Sequence, residues 1–397
     1  MTGPLEGIRI IEVADWIMVP SACALLCDWG AEVIKVETSA GDPMRGFLQV
    51  GGTEGIDMTV IQFEQLNRGK KSVVADLREA SGRERLHALA ASADVVVTSL
   101  LPATRERFGM DVGTLRAVQP SIIVASSSGT GLEGPEAARG GFDYATFWAR
   151  SGLAHSYHHP DLEYPVGVGG GMGDLISGVA LAGAVSTAIA QRAMTGTAPT
   201  VDVSLLGTGL WLTAFDVLAA KHGVRKRLLA TQAHHEPLLP LVNYYRTADG
   251  RFIVITIPKV AAAWSELCHR IGRPELATDS RFDTDRAQSK HRGELVTLLD
   301  AAFAEQTVDA WRQKLEGAGF VWSVAQRPIE VADDPQVLAN GMVRAVEVTG
   351  DSKPRLPELV ASYATFGRLK PALRPSPSLG EHTQQVLASL GVETDSE

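Results

Sequence analysis

Cysteine is scarce: only Cys23, Cys27 and Cys268 occur among 397 residues. An odd, sparse set excludes a disulfide framework. Cys23 and Cys27 are four apart, which suits one face of a packed helix better than a metal site with no further ligands nearby. Positive charge is also short. Lys and Arg number 37 against 46 Asp and Glu, a formal charge of −9, which disfavours non-specific binding to nucleic acid or to an anionic membrane surface. The most apolar stretch, LISGVALAGAVSTAIA from Leu175 to Ala190, is shorter than the roughly 20 residues of a membrane span and reads as a buried helix. The opening MTGPLEGIRIIEVAD lacks a basic segment followed by an apolar core. It therefore reads as a first strand rather than a signal peptide, and a cytoplasmic location is expected.

What remains is ordinary globular composition, with 45% hydrophobic and 21% charged residues, and a length that predicts two domains. Apolar β-type runs alternate with helical stretches in the first half. IRIIEV, AEVIKVE, KSVVADL, ADVVVTS and SIIVASS are separated by segments such as SACALLCDWG, SGRERLHALAASA and GTLRAVQP. Strands this apolar, with helices between them, predict a parallel α/β sheet covered on both faces. Such sheets bind ligands at the ends of their strands. Near residue 225 the pattern changes. RKRLLATQAHHEPLLP reads as a linker, NYYRTADGRFIVITI as a hairpin turning at ADG, and three helical segments follow. The tail is Pro-rich with one short helix that is expected to pack back on the protein.

The stretch PVGVGGGMGDLISG, Pro165 to Gly178, sets five glycines before a single carboxylate, Asp174. A dinucleotide loop would need Gly-x-Gly-x-x-Gly, but the third position falls on Met172, Asp174 or Ile176 in the three registers. A P-loop is excluded because no Gly-Lys-Ser/Thr follows. Two readings stay open. In one, Asp174 caps a closely packed helix. Alternatively it is a nucleophile, kept ionised at a helix N-terminus, with glycine N–H groups available to a developing oxyanion.

The order of motifs over the whole chain resembles the class III CoA-transferases, a family that includes the α-methylacyl-CoA racemases. The resemblance rests on PLEGIRIIEVAD…LLCDWGAEVIKVE…GDPMR, NRGKKSVVADLR, ADVVVTSLLPATRERFGM, ASSSGTGLEGP, GGFDYATFWARSGL, GDLISG, VDVSLL, DDPQVLANGMV and SPSLGEHTQQVLASLG. It implies a large Rossmann-like domain with an open parallel sheet, residues 1–210 plus 335–397. A smaller α+β domain, 225–325, is inserted through linkers at 211–224 and 326–334, and the dimer is interlocked.

The resemblance makes Asp174 the acyl-accepting nucleophile, with Gly170, Gly171 and Gly173 as its oxyanion loop. CoA contacts carry over to Trp16, Ile17, Met18, Arg68, Lys70, Lys71, Ser99, Leu100, Arg107, Phe108 and Arg139. Where the family often has Arg after the IKVE glutamate, this chain has Thr38, so that phosphate contact is expected from elsewhere, with Arg45 a candidate. Phe142, Tyr144 and Trp148 are candidates for an acyl pocket that would favour a bulky or apolar group. The implied activity is transfer of CoA between an acyl-CoA thioester and a free carboxylic acid, with no tightly bound cofactor or metal.

The racemase branch uses a His before the Asp of GFDY and a Glu after the ADGRFIVITI strand; here these positions hold Phe142 and, at or near the second, Pro258. Transferase is therefore preferred to racemase. A CoA-ester-binding protein without activity is the alternative of another class. The clusters His155/His158/His159 and His234/His235 are read as polar loop residues, not metal ligands.

Overall fold

The computed structural model describes residues 3–47, 49, 56–159, 162–224, 233–348, 354–367 and 370–392. The sequence-predicted linker core at 225–232 lies outside the described residues. Contacts divide the chain into two compact units. One comprises Met1–Tyr157, Pro165–Leu229 and Pro335–Glu397; the other comprises His158–Tyr164 and Ala230–Asp334.

The first unit is built on β1 (Arg9–Val13), β2 (Glu32–Glu37), β3 (Lys71–Val74), β4 (Val95–Thr98), β5 (Ile123–Ser128) and β6 (Thr200–Ser204), in the order β3-β2-β1-β4-β5-β6. Every neighbouring pair is parallel. This is the doubly wound arrangement, whose order reverses between β1 and β4. Alternation along the strands explains the two cores. Ile10, Val33, Val95, Val97 and Ile123 face one way, against α1 (Met18–Asp28). Ile11, Ile34, Val36, Val73, Val96 and Val124 face the other way. There they meet Leu86 and Leu89 of α3 (Ala80–Ala91), which follows α2 (Met58–Asn67) in the chain. The tail packs back as expected: Val386 and Leu387 of the closing helix, Thr383–Ser389, complete this second core.

After β4 come α4 (Pro102–Arg107) and α5 (Val112–Val118). A π-helical turn (Asp143–Ala149), α6 (Leu153–Ser156) and the long α7 (Met172–Thr195) follow β5. α7 extends beyond the Leu175–Ala190 run, and by length and composition it could cross a membrane. Its Leu181, Ala182, Val185 and Ala188 are instead buried with α1 against the sheet. A Cβ on Gly178 would stand 2.0 Å from Ser21 Oγ, so only glycine lets the two helices approach this closely.

Residues 211–224, expected as a linker, instead complete α8 (Leu205–Leu212) and form α9 (Ala214–Lys221). The apolar pattern there is helical, and Trp211 and Phe215 are largely exposed in the single chain. The second expected linker, 326–334, likewise contains a helical turn, Pro328–Ala332.

The second unit has an antiparallel sheet of β7 (Val242–Arg246), β8 (Phe252–Thr256) and β9 (Val321–Val324). The ADG turn joins β7 to β8, with Gly250 at φ +74°. Helices Val260–Arg270, Arg292–Phe303 and Val308–Leu315 cover one face through Trp264, Phe303 and Trp311.

Candidate functional site

In a doubly wound sheet the crevice at the carboxyl ends of the strands, where the order reverses, is the natural ligand site. Here that crevice is a cavity of about 190 Å³. Asp15, Trp16, Met18 and Val19 line it after β1, Ser99 and Leu101 after β4, and Ser127, Ser128 and Gly129 at the end of β5. Gly140, Gly141, Phe142, Asp174 and Leu205 complete the wall.

Asp174 is the third residue of α7, which begins after Gly171 at φ +70°. A Cβ at Gly171 would meet Ile17 Cδ1 at 2.5 Å, and one at Gly173 would meet the Phe147 ring at 2.5 Å. Both glycines are therefore required by the protein's own packing, which wedges the start of α7 between Ile17 after β1 and Phe147 of the π-helical turn after β5. Gly170 also has positive φ, +72°, and faces open space. Asp174 is half-buried. Burial, and then the nearby Asp143, push its carboxyl up to about 7. A helix N-terminus favours the ionised form, as the nucleophile reading expects; desolvation and a like charge outweigh that here.

The loop after β1 is held in a conformation that L-residues rarely adopt. Trp16 has φ +70°, and its N–H donates to Asp42 Oδ1 at 3.3 Å. A single non-glycine residue in this region costs about 1–2 kcal/mol. The Trp16 ring meets Phe47 and Phe142 edge-on, with centroids 5.1 and 5.8 Å apart. Beneath lies a buried charge network. Lys35 Nζ is 2.8 Å from Glu12 and 2.9 Å from Asp42, and Lys70 Nζ is 2.6 Å from Glu12. Burial opposes ionisation of Glu12, yet Lys35 and Lys70 together hold its carboxyl below the usual range. Burial pushes the thiol of Cys27 up to about 11 and that of Cys23 well above its ordinary value, so neither is poised as a thiolate.

The structure brings together only part of the sequence-predicted site. Trp16, Met18, Ser99, Phe142 and Asp174 line one cavity. Ile17 supports it from behind, through Gly171. Leu100 lies beside it without being part of the wall, which takes Leu101 instead. Arg107 closes α4, exposed, with its guanidinium 4.8 Å over the Phe108 ring. Arg139 is exposed and donates to Glu136 at 3.4 Å.

The basic run NRGKKS does not reach this cavity. Arg68 is buried and paired with Asp28 at 2.8 Å. Lys70 is fully enclosed beside Glu12, and Lys71, which opens β3 at the amino-terminal edge of the sheet, pairs with Glu32. Sequence neighbours look like free cations because their acidic partners come from other elements. Arg45 is likewise held by Glu37, with two contacts of 2.8 Å. Two of the three expected acyl-pocket residues are elsewhere. Trp148 is buried, donates from Nε1 to the Val166 carbonyl at 3.0 Å and stacks on Tyr157. Tyr144 is exposed and borders Gly167.

Sequence reasoning missed Asp15, Asp143, Ser127 and Ser128. The first was findable as the residue just past the first strand, where α/β folds place ligand contacts. In the second unit, His234, His235 and Asp300 form a group whose ligand atoms lie within 4.8 Å of one another, and His234 Nε2 sits 2.9 Å from both Asp300 oxygens.

Comparison with known proteins adds independent weight. The family model for CoA-transferase family III matches residues 5–383. The (R)-2-hydroxy-4-methylpentanoate CoA-transferase of Clostridioides difficile is 29% identical over 98% of this chain and 96% of its own. The succinyl-CoA:glutarate CoA-transferase of Mus musculus is 31% identical over 97% of this chain and 86% of its own. The crystal structure of a CAIB/BAIF family protein from Brucella suis superposes with a TM-score of 0.83 at 28% identity, covering 98% of this chain and 100% of that one. Likeness of this extent, in sequence and in a sheet that puts its crevice beside Asp174, leaves one conclusion: the chain belongs to CoA-transferase family III and is a CoA-transferase.

Proposed function

We propose that the chain moves CoA between an acyl-CoA thioester and a free carboxylic acid through covalent intermediates on Asp174. The observation that carries this reading is the position of Asp174, a half-buried carboxyl on the wall of the crevice at the sheet's switch point. Its carboxylate attacks the donor thioester carbonyl, the C–S bond breaks and CoA leaves as thiolate. The resulting mixed anhydride keeps the activation of the thioester, so the exchange needs no ATP. The thiolate then attacks the aspartyl carbonyl, releasing the donor acid and leaving an aspartyl-CoA thioester. The acceptor carboxylate attacks that thioester, and the freed thiolate takes the new acyl group, restoring Asp174.

Arg107, with Phe108 beneath it, is the cation we assign to CoA phosphate; its guanidinium is exposed. Proton abstraction at Cα is not favoured. The relatives are named as transferases, Phe142 stands where the racemase branch has its His, and no Glu stands at Pro258 or beside it. The functional unit is proposed to be an interlocked homodimer. Supporting this, Trp211 and Phe215 on α8 and α9 are 81% and 72% exposed in the single chain, an apolar surface that a second copy would cover.

The test is intact-protein mass after incubation with a panel of acyl-CoA thioesters, with and without hydroxylamine. An acyl- or CoA-sized adduct that hydroxylamine converts to a hydroxamate, and that Asp174→Ala abolishes, supports the reading. Absence of any adduct while CoA-ester binding persists overturns it in favour of a binding protein or racemase.

A further inference from the structure

The cavity wall that carries Asp174 also carries a second carboxyl group, Asp15, and holds no lysine or arginine among the described residues. Asp15 stands two residues past the end of β1; the residue is exposed, with its carboxyl partly enclosed by the cavity wall. The cations behind it are already matched. Lys35 lies between Glu12 and Asp42, Lys70 is on Glu12, and Arg45 is on Glu37. Glu12, Asp42, Glu37 and Asp15 thus face Lys35, Lys70 and Arg45, and Asp15 is the carboxylate left over, with no ion pair among the described residues. Partial burial of the carboxyl, then the charge of Asp42, push it up to about 6. At pH 8 it is still an anion.

The rest of the wall is apolar or hydroxylic: Trp16, Met18, Leu101 and Phe142, with Ser127 and Ser128. A substrate whose acyl chain ends in a second carboxylate would bring that charge out of water without a counter-ion and towards a like charge. Both effects are unfavourable. We propose that the pocket selects acyl groups lacking a distal negative charge, that is, apolar or aromatic monocarboxylic acids, and that Asp15 is the residue that rejects dicarboxylic ones. This rests on the reading of Asp174 as the acyl acceptor.

Pentanoyl-CoA and glutaryl-CoA test it, because they share chain length and differ at the far end by methyl against carboxylate. With acetate as acceptor at pH 8, wild type is expected to show kcat/KM at least about tenfold higher for pentanoyl-CoA, equivalent to about 1.4 kcal/mol. Asp15→Asn should shrink that ratio to about two- to threefold, and Asp15→Lys should reverse it, the latter by supplying the missing counter-ion. Equal rates in wild type, a preference for glutaryl-CoA, or a ratio unmoved by either variant overturns the proposal. Calorimetric binding of both thioesters to Asp174→Asn, with and without Asp15→Asn, reads the same preference without turnover. Loss of transfer with every donor would therefore defeat the reading of Asp174, while the binding ratio would still decide the role of Asp15.

Discussion

Asp143 opposes the ionisation of Asp174. The two carboxyls belong to segments joined by the cavity wall, the π-helical turn after β5 and the first turn of α7. Burial is the larger influence on Asp174 and Asp143 the second, and together they bring its carboxyl to about 7. A nucleophilic carboxylate must be ionised, so rate falls as pH drops through that value. Asp143→Asn removes the like charge while leaving the burial. The acid limb of the kcat/KM profile is expected to move to lower pH, by less than the whole displacement from 3.8. A limb that stays in place would show that Asp174 does not set it.

The same shift has a consequence for stability. A carboxyl whose folded pKa lies above its unfolded value binds its proton more tightly when folded. Its contribution is intact below about 3.8 and is lost as pH rises through about 7. Asp174→Asn should therefore be more stable than wild type at pH 8, by about 2 kcal/mol once partial solvent screening is allowed for. The gain should vanish near pH 4. Denaturant titrations at the two pH values measure it.

Gly173→Ala is expected to cost about 1–3 kcal/mol, because its Cβ would stand 2.5 Å from the Phe147 ring. Activity should fall further than stability, since α7 must shift and carry Asp174 with it. Combining it with Phe147→Leu should recover much of both. Thermal melts and transfer rates on the single and double variants decide this.

Two cations that the family resemblance places at CoA, Lys70 and Arg107, should separate cleanly. Lys70→Met leaves Glu12 with Lys35 alone in a buried site, and breaking such a pair costs about 3–5 kcal/mol. Its melting temperature should drop, with KM for acyl-CoA unchanged in the protein that folds. Arg107→Ala should leave the melting temperature in place and raise that KM, about tenfold if a charge-assisted phosphate contact is lost.

Trp211→Glu with Phe215→Glu places charge on the exposed apolar face of α8 and α9. Light scattering coupled to size exclusion should show a dimer for wild type and monomer or aggregate for the double variant. A wild-type monomer at micromolar concentration defeats the dimer.

Much of the architecture was legible in the chain. The apolar runs IRIIEV, AEVIKVE, KSVVADL, ADVVVTS and SIIVASS are the first five strands of the parallel sheet, and the ADG turn closes the hairpin of the second unit. Residues 211–224, a linker by the family resemblance, are helical instead. Helical apolar residues left exposed in one chain carry no burial signal to correct that reading. Trp148 misled differently. A large aromatic beside a functional motif looks like pocket lining until its indole N–H is found bonded to the Val166 carbonyl.

By itself, the sequence determined the alternation of strands and helices, the glycine-rich entry to Asp174 and the order of family motifs, because these depend on spacing along the chain. Only the tertiary structure decided which charges are available. Arg68, Lys70, Lys71 and Arg45 are tied to Asp28, Glu12, Glu32 and Glu37, while Asp15 is left facing the cavity. Electrostatic pairing depends on distance in space: Arg45 turns back on Glu37 within eight residues, whereas Arg68, Lys70 and Lys71 meet acids of earlier strands and helices only after the chain has crossed over and returned.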